Sequence, residues 1–374
     1  MNEHDTSHDE SRRHFISTPV KLFPAVALAG ATGFAAPSAF AQAAPAAQNA
    51  QASSTVQGQI RTSNQMKKIF VIATGGTIAG TASSQTEVVS YTAAQRTVND
   101  LLAGIPRPEN REFEGYQLAQ VDSKDMSFEV WRNLVLKVQE VLARPDIAGI
   151  VITHGTDTLE ETSYFLHLAV NATKPIVFTA AMRPSTALSA DGPANLLDSI
   201  TLAGVDNAQG VMCVLDGRIY GAEDIRKRHT YRIEAFQAGE AGPIGAVEGG
   251  IVRQWRNWPV SQPIVQASQL PEDTAKWPWV EIVESCAGTT GAIVPALVGA
   301  GVNGLVIAAT GNGTIHKDLI AHAKEAMAQG IPVVRAARVG DGVILGEDED
   351  GIAKSACTLP VKARVLMIAQ LLRG

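Results

Sequence analysis

Two short segments hold the residue types from which a hydroxyl nucleophile and its proton relay can be built. The first is Ala73-Thr74-Gly75-Gly76-Thr77-Ile78-Ala79-Gly80. Its glycines let the backbone turn tightly and leave N–H groups around Thr77. A threonine hydroxyl attacks a carbonyl once a base or a relay polarises it. A threonine in a Gly turn also serves as plain turn chemistry, and both readings stand. The spacing matches neither G-x-G-x-x-G nor G-x-x-x-x-G-K-[ST], so neither phosphate-cradle fingerprint is present. The second segment is Thr153-His154-Gly155-Thr156-Asp157-Thr158-Leu159-Glu160-Glu161-Thr162. Asp157 stands where a helix should begin, with Glu160 three residues on, the spacing of a capping box. It is either a helix cap or a carboxylate able to hold a substrate ammonium. His154 reads as a structural histidine.

Other catalytic signatures are missing from the sequence. There is no G-x-S-x-G, no H-E-x-x-H and no C-x-x-C. Cys213, Cys286 and Cys357 are too few and too scattered for a disulfide framework or a zinc site, and read as small buried side chains. The run Arg226-Lys227-Arg228-His229 reads by itself as a solvated, ion-paired face. Formal charge is −6, so no basic excess argues for a nucleic-acid partner.

Both candidate turns follow short β-rich runs. Lys68 to Ala73, Ile147 to Thr153 and Pro175 to Thr179 are nearly continuous in apolar residues, as strands buried on both faces are. Helical periodicity covers Phe128 to Ala143 and Leu159 to Ala172. The alternation returns near the end: Gly304 to Ala308, a helix over Lys317 to Gln329, then Ile331 to Val334. The expected fold is α/β, with two α/β domains built on mainly parallel sheets, the N-terminal one larger. Such sheets place ligands at the carboxyl ends of their strands, where both turns fall. The Pro-rich stretch 259–277 reads as an inter-domain linker between domains at 65–258 and 278–374.

The first 41 residues read as an export address. Arg12-Arg13 precede an apolar run, Leu22 to Ala36, and Ala39-Phe40-Ala41 is an A-x-A cut site. Paired arginines before a mildly apolar run resemble a twin-arginine leader. The run is too short to cross a bilayer, so no membrane anchor is expected in the mature form. Residues 42–64, rich in Ala, Gln, Ser and Thr, read as a flexible linker. Export points to a periplasmic or secreted product.

Taken together and in this order, the two turns resemble those of the bacterial-type L-asparaginases. Further matches follow: Ala181-Met182-Arg183-Pro184-Ser185, Ser189-Ala190-Asp191-Gly192-Pro193-Ala194-Asn195-Leu196, Gly311-Asn312-Gly313 and Lys362-Ala363-Arg364-Val365-Leu366. The resemblance spans about residues 67 to 374. It implies an amidohydrolase that releases ammonia from asparagine, often with glutaminase activity, and that needs no cofactor or metal. It implies a homotetramer, or at least a dimer, whose sites lie between subunits. On this resemblance Thr77 is the nucleophile and Tyr91 the mobile-loop tyrosine that assists it. Thr156, Asp157 and Lys227 form a second triad. Asp157 also holds the substrate α-amino group, Ser123 binds the α-carboxylate, and Gly76 lines the site. Glu349, with Glu347 close by, matches the acid contributed across subunits. Three departures stand out. Lys124 follows Ser123 where periplasmic members carry Gln, Gly288 replaces a second-domain asparagine, and the Val339 to Ile352 loop is short. The chain stops at Gly374, so the family's C-terminal helix is expected to be missing.

The sequence leaves four readings: an exported asparaginase, a broader glutaminase-asparaginase, an exported amino-acid-binding protein, and an amidotransferase subunit. Five reacting groups together argue against the binder, which needs only the orienting clamp. The leader and the acidic charge argue against the amidotransferase. One methylene in a pocket is worth roughly 1–3 kcal/mol, so asparagine and glutamine are not separated by these motifs.

Overall fold

The computed structural model describes residues 59–60, 67–107 and 111–374. The export segment 1–41 and most of the 42–64 linker lie outside the described residues. Within that linker, Gln59–Ile60 pairs antiparallel with Val252 and Arg253, so sheet pairing begins before the end of the segment read as flexible.

Five parallel strands form the heart of the larger sheet. In chain order they are Lys68–Gly75, Phe113–Val121, Ile147–Thr153, Pro175–Thr179 and Gly210–Leu215. In space the second lies outside the first and the rest follow on the other side, an order of 2-1-3-4-5. The sheet then continues antiparallel through Arg218–Gly221, Gly245–Glu248, Ile251–Gln254 and Gln59–Ile60, for nine strands in all. Asp216 and Gly217, with φ of 50° and 68°, make the tight turn that reverses direction.

Alternation along the strands explains the layers. Phe70 and Ile72 face one core with Ile150 and Ile152, under the helices Phe128–Leu142 and Leu159–Ala169. Ile69, Val71 and Ala73 face the other with Val151 and Val177, under Val98–Ala103 and Gly192–Ala203. Period-two side chains on a strand covered on both faces must be apolar throughout, as these are.

The smaller sheet has four parallel strands in the order Val280–Glu284, Gly304–Ala309, Val333–Ala337, Ala353–Lys354. The Pro-rich stretch before it is packed rather than free. Trp277 stacks on Phe128 with ring centroids 5.0 Å apart, and Val265 and Leu270 are buried.

The last helix, Pro360–Arg373, has 14 residues and contains the Lys362-Ala363-Arg364 motif. Pro360 sits in its first turn, where a missing N–H costs nothing. Its Ala363, Val365, Met367, Ile368 and Ala369 enter the same core as the helices of the larger sheet. Lys362 is fully buried and donates to the Ala222 and Glu223 carbonyls at 2.6 and 2.7 Å. Burial pulls its ammonium down to about 8. Among the described residues no helix is long and apolar enough to cross a membrane.

Candidate active site

A 2-1-3-4-5 strand order reverses direction between the first and third strands, and a crevice opens there at the carboxyl edge. The two turns singled out by sequence leave those two strands. Thr77 begins a 3-10 turn just after Lys68–Gly75, and Thr156 and Asp157 follow Ile147–Thr153. The second strand, on the other flank, ends at Val121 and delivers Ser123.

Glycines let these three turns meet. Gly76 has a φ of +81°, and a Cβ on it would run into the Gly155 backbone, with the His154 carbonyl carbon at 2.7 Å. A Cβ on Gly155 would strike the Ser123 side chain, with its Cβ at 2.7 Å. Gly76 N–H also donates to the Val121 carbonyl at 2.9 Å.

Two hydroxyl relays result. The Thr77 and Tyr91 hydroxyls share a hydrogen bond of 2.7 Å. Tyr91 comes from a small hairpin, Thr81–Ala82 against Tyr91–Thr92, and its ring lies close over Gly80. Neighbouring backbone holds the hairpin down: Ser185 N–H donates to the Gly80 carbonyl at 2.9 Å and Ala82 N–H to Thr186 Oγ1 at 2.9 Å. In the second relay, Lys227 Nζ donates to Thr156 Oγ1 at 2.9 Å and to Asp157 Oδ1 at 2.7 Å. Thr77 and Thr156 are buried, whereas the Asp157 side chain is half exposed and its second oxygen has no partner among the described residues. Because Lys227 donates to Thr156, the threonine's own proton remains available. None of the hydrogen bonds among the described residues takes the Thr156 backbone N–H.

Asp157 is not the helix cap. The N-cap of Leu159–Ala169 is Thr158, without a side-chain cap bond, and the Thr158 hydroxyl instead donates to the Ser123 carbonyl at 2.7 Å. Ser123 Oγ accepts the Asp157 N–H at 3.2 Å, which leaves its proton for another acceptor. Lys124 turns to Asp125 and Asp122, at 2.8 and 2.9 Å, and these hydrogen bonds hold its ammonium above the usual lysine range. Its charge is thus neutralised by its own neighbours. His154 is buried with Nδ1 2.8 Å from the Gly155 carbonyl, and burial lowers its ring to about 4. Its Nε2 has no partner, so it is only half satisfied.

In the basic run at 226–229, Arg226 is buried and Lys227 partly buried, each in an ion pair, while Arg228 is exposed. Arg226 and Lys227 form a two-residue strand against Phe236–Gln237. Glu160, read from the sequence only as a capping-box partner, instead accepts the Lys227 N–H at 3.3 Å, and burial pushes its carboxyl above the usual range. Glu349 and Glu347 are exposed, and no hydrogen bond or ion pair among the described residues joins either to this cluster. Gly288 lies in an exposed turn at φ +77°. Among the described residues no group of His, Cys, Asp and Glu is arranged to hold a metal.

Comparison with known proteins agrees with this geometry. Residues 68–259 match the family model described as Asparaginase, N-terminal, and residues 279–374 match the Glutaminase/Asparaginase C-terminal domain. The chain is 34% identical over 312 residues to L-asparaginase 2 of Bacillus subtilis, covering 82% of this chain and 83% of the relative. It is 33% identical over 322 residues to a glutaminase-asparaginase of Pseudomonas fluorescens biotype A, covering 84% and 88%. A crystal structure of a probable cytoplasmic L-asparaginase from Campylobacter jejuni superposes with a TM-score of 0.78 at 34% identity, covering 82% of this chain and 96% of that one. The chain therefore belongs to the asparaginase/glutaminase family of amidohydrolases.

Proposed function

We propose that this enzyme hydrolyses the side-chain amide of L-asparagine to L-aspartate and ammonia through an acyl-enzyme on Thr77. The observation that carries the reading is the pairing of two hydroxyl relays, Thr77–Tyr91 and Thr156–Lys227–Asp157, across one strand-order reversal. An amide carbonyl is a weak electrophile, so both a polarised hydroxyl and an oxyanion donor are needed. Thr77 Oγ1 attacks the amide carbon while its proton passes to the Tyr91 oxygen and the Tyr91 hydroxyl proton passes on to solvent, to which that side chain is exposed. The Thr156 N–H faces the developing oxyanion. The Thr156 hydroxyl, backed by the Lys227 ammonium, gives its proton to the departing nitrogen. Water then attacks the ester carbonyl and gives a proton back to Thr156 Oγ1, aspartate leaves, and Thr77 regains a proton from solvent through Tyr91.

The substrate is a zwitterion, and the turn offers matching ends. The free oxygen of Asp157 takes the α-ammonium, and the Ser123 hydroxyl donates to the α-carboxylate. Gly76 forms the floor between them. Glu349, exposed in the single chain, completes the site from a neighbouring subunit in a dimer or tetramer. The leader at 1–41 supports export by a twin-arginine route, whereas the Campylobacter jejuni protein is titled cytoplasmic.

A broader glutaminase-asparaginase is the second reading, favoured by the name of the Pseudomonas fluorescens relative. Ammonia release by residues 42–374, with asparagine and glutamine in parallel, tests both. Turnover of asparagine well above glutamine supports the first reading, and comparable rates support the second. No release from either amide by a folded protein would leave only an amino-acid-binding protein.

A further inference from the structure

We propose that Arg226 and Asp341 form a latch that positions Lys227, tying its strand to the loop that follows the third strand of the smaller sheet. This rests on the role given to Lys227 above. Successive side chains on a strand point to opposite faces. Lys227 therefore reaches Thr156 and Asp157, while Arg226 reaches away from them and pairs with Asp341. Among the described residues the two-residue strand pairs with Phe236–Gln237, Lys227 N–H makes a 3.3 Å bond to Glu160, and the adjoining Arg228 N–H donates to the Ala235 carbonyl at 2.7 Å.

The Arg226 side chain is only 8% exposed, and its Nε has no partner among the described residues. A buried guanidinium depends on the partner it has, and here the ion pair is made through one terminal nitrogen. Behind it lies a cavity of about 460 Å³, lined by Arg226, Asp341, Lys362, Cys357 and Glu223. Arg226 is buried, whereas the carboxylate it pairs with is half exposed. One glycine makes room for Arg226 and a second for its neighbour Arg228. A Cβ on Gly239 would sit 2.9 Å from Asp341 Oδ1 and 3.0 Å from Arg226 Nη2, and one on Gly340 would strike the Arg228 guanidinium. The far end of the loop is fixed to the smaller sheet. Arg335 pairs with Asp350, and Asn312 exchanges two hydrogen bonds with Leu345 at 3.0 and 2.8 Å. The loop that carries Glu347 and Glu349 is therefore anchored at both ends, and one anchor is the residue beside Lys227.

The test compares the full-length protein with Asp341→Asn, Asp341→Glu, Arg226→Met and the Arg226→Met/Asp341→Asn double variant. The readouts are kcat and KM for asparagine and amide hydrogen exchange over residues 226–237. Asp341→Asn is isosteric and carries the test even where Arg226→Met fails to fold. The latch predicts kcat lower by about tenfold in Asp341→Asn, with KM within about twofold, because a small misplacement of a reacting group acts on the transition state. Asp341→Glu recovers most of the loss. The double variant is no worse than Arg226→Met, since coupled residues are not additive. Exchange over 226–237 speeds up in Asp341→Asn whether or not the wild type turns over asparagine, so this arm is independent of the functional reading. Unchanged kcat and unchanged exchange in folded Asp341→Asn would overturn the latch, as would fully additive losses in the double variant. Wild-type turnover with those results would leave the functional reading intact.

Discussion

Gly76 and Gly155 lie back to back, so close that a Cβ on Gly76 would enter the Gly155 backbone. One follows the first strand of the sheet and the other the third. Their contact brings the Thr77 turn against the Thr156 turn. At Gly76 the backbone is also left-handed, so alanine there suffers both strain and overlap. Gly76→Ala should lower stability by about 3 kcal/mol, read as a fall in denaturant midpoint. Gly155→Ala should displace Ser123 and raise KM for asparagine more than it lowers kcat. A Gly76→Ala protein of wild-type stability and activity would show that the turns are not held by this contact.

Tyr91→Phe keeps the ring over Gly80 and removes only the oxygen 2.7 Å from Thr77. Loss of a proton-transfer partner costs about 100-fold or more in rate. The expected result is a kcat lower by that factor with KM little changed. A kcat for Tyr91→Phe within a few-fold of wild type would remove Tyr91 from the relay.

Asp157 and Lys227 should separate in steady-state kinetics. Asp157→Ala removes the carboxylate proposed to hold the α-ammonium, a charged hydrogen bond worth about 1.5–3 kcal/mol, so asparagine affinity should fall roughly 10- to 100-fold. Lys227→Met leaves that carboxylate in place and should act mainly on kcat. Wild-type affinity in Asp157→Ala would reduce that residue to a partner of Lys227.

His154 gives stability a pH dependence. Burial lowers its ring from 6.5 to about 4 in the folded protein. Between those values the unfolded chain binds more protons than the folded one, so stability falls as pH falls. The contribution is fully present above pH ~6.5 and is lost by about pH 4, roughly 3 kcal/mol in all. His154→Gln should flatten this part of the stability profile measured by denaturant unfolding between pH 7 and pH 4. An unchanged slope would mean that other groups set it.

Much of the first sheet was legible in the sequence because its strands are buried on both faces and read as unbroken apolar runs. Ile147–Thr153 and Pro175–Thr179 run between the very residues expected. The Gly-rich turn was legible because only glycine tolerates its conformation. The capping-box reading of Asp157 gave way because Lys227, 70 residues on, offers its carboxylate a stronger partner than a backbone N–H. Long sequence separation also hid the meaning of the 226–229 run, where Lys227 is paired with Thr156 and Asp157, and Arg226 with Asp341. Lys362 carries no local signal either: its ammonium is held by two carbonyls about 140 residues away in sequence. The last helix, Pro360–Arg373, runs through the Lys362-Ala363-Arg364 motif. Its apolar positions from Ala363 to Ala369 enter the main core.

The central claim is that Thr77 carries the acyl group. Rapid quenching of the enzyme during asparagine turnover, followed by mass analysis of its peptides, tests this directly. The account predicts a transient aspartyl adduct on the peptide containing Thr77, absent in Thr77→Ala, whose ammonia release is also lost. An adduct on Thr156 instead, or normal ammonia release by Thr77→Ala, would contradict it.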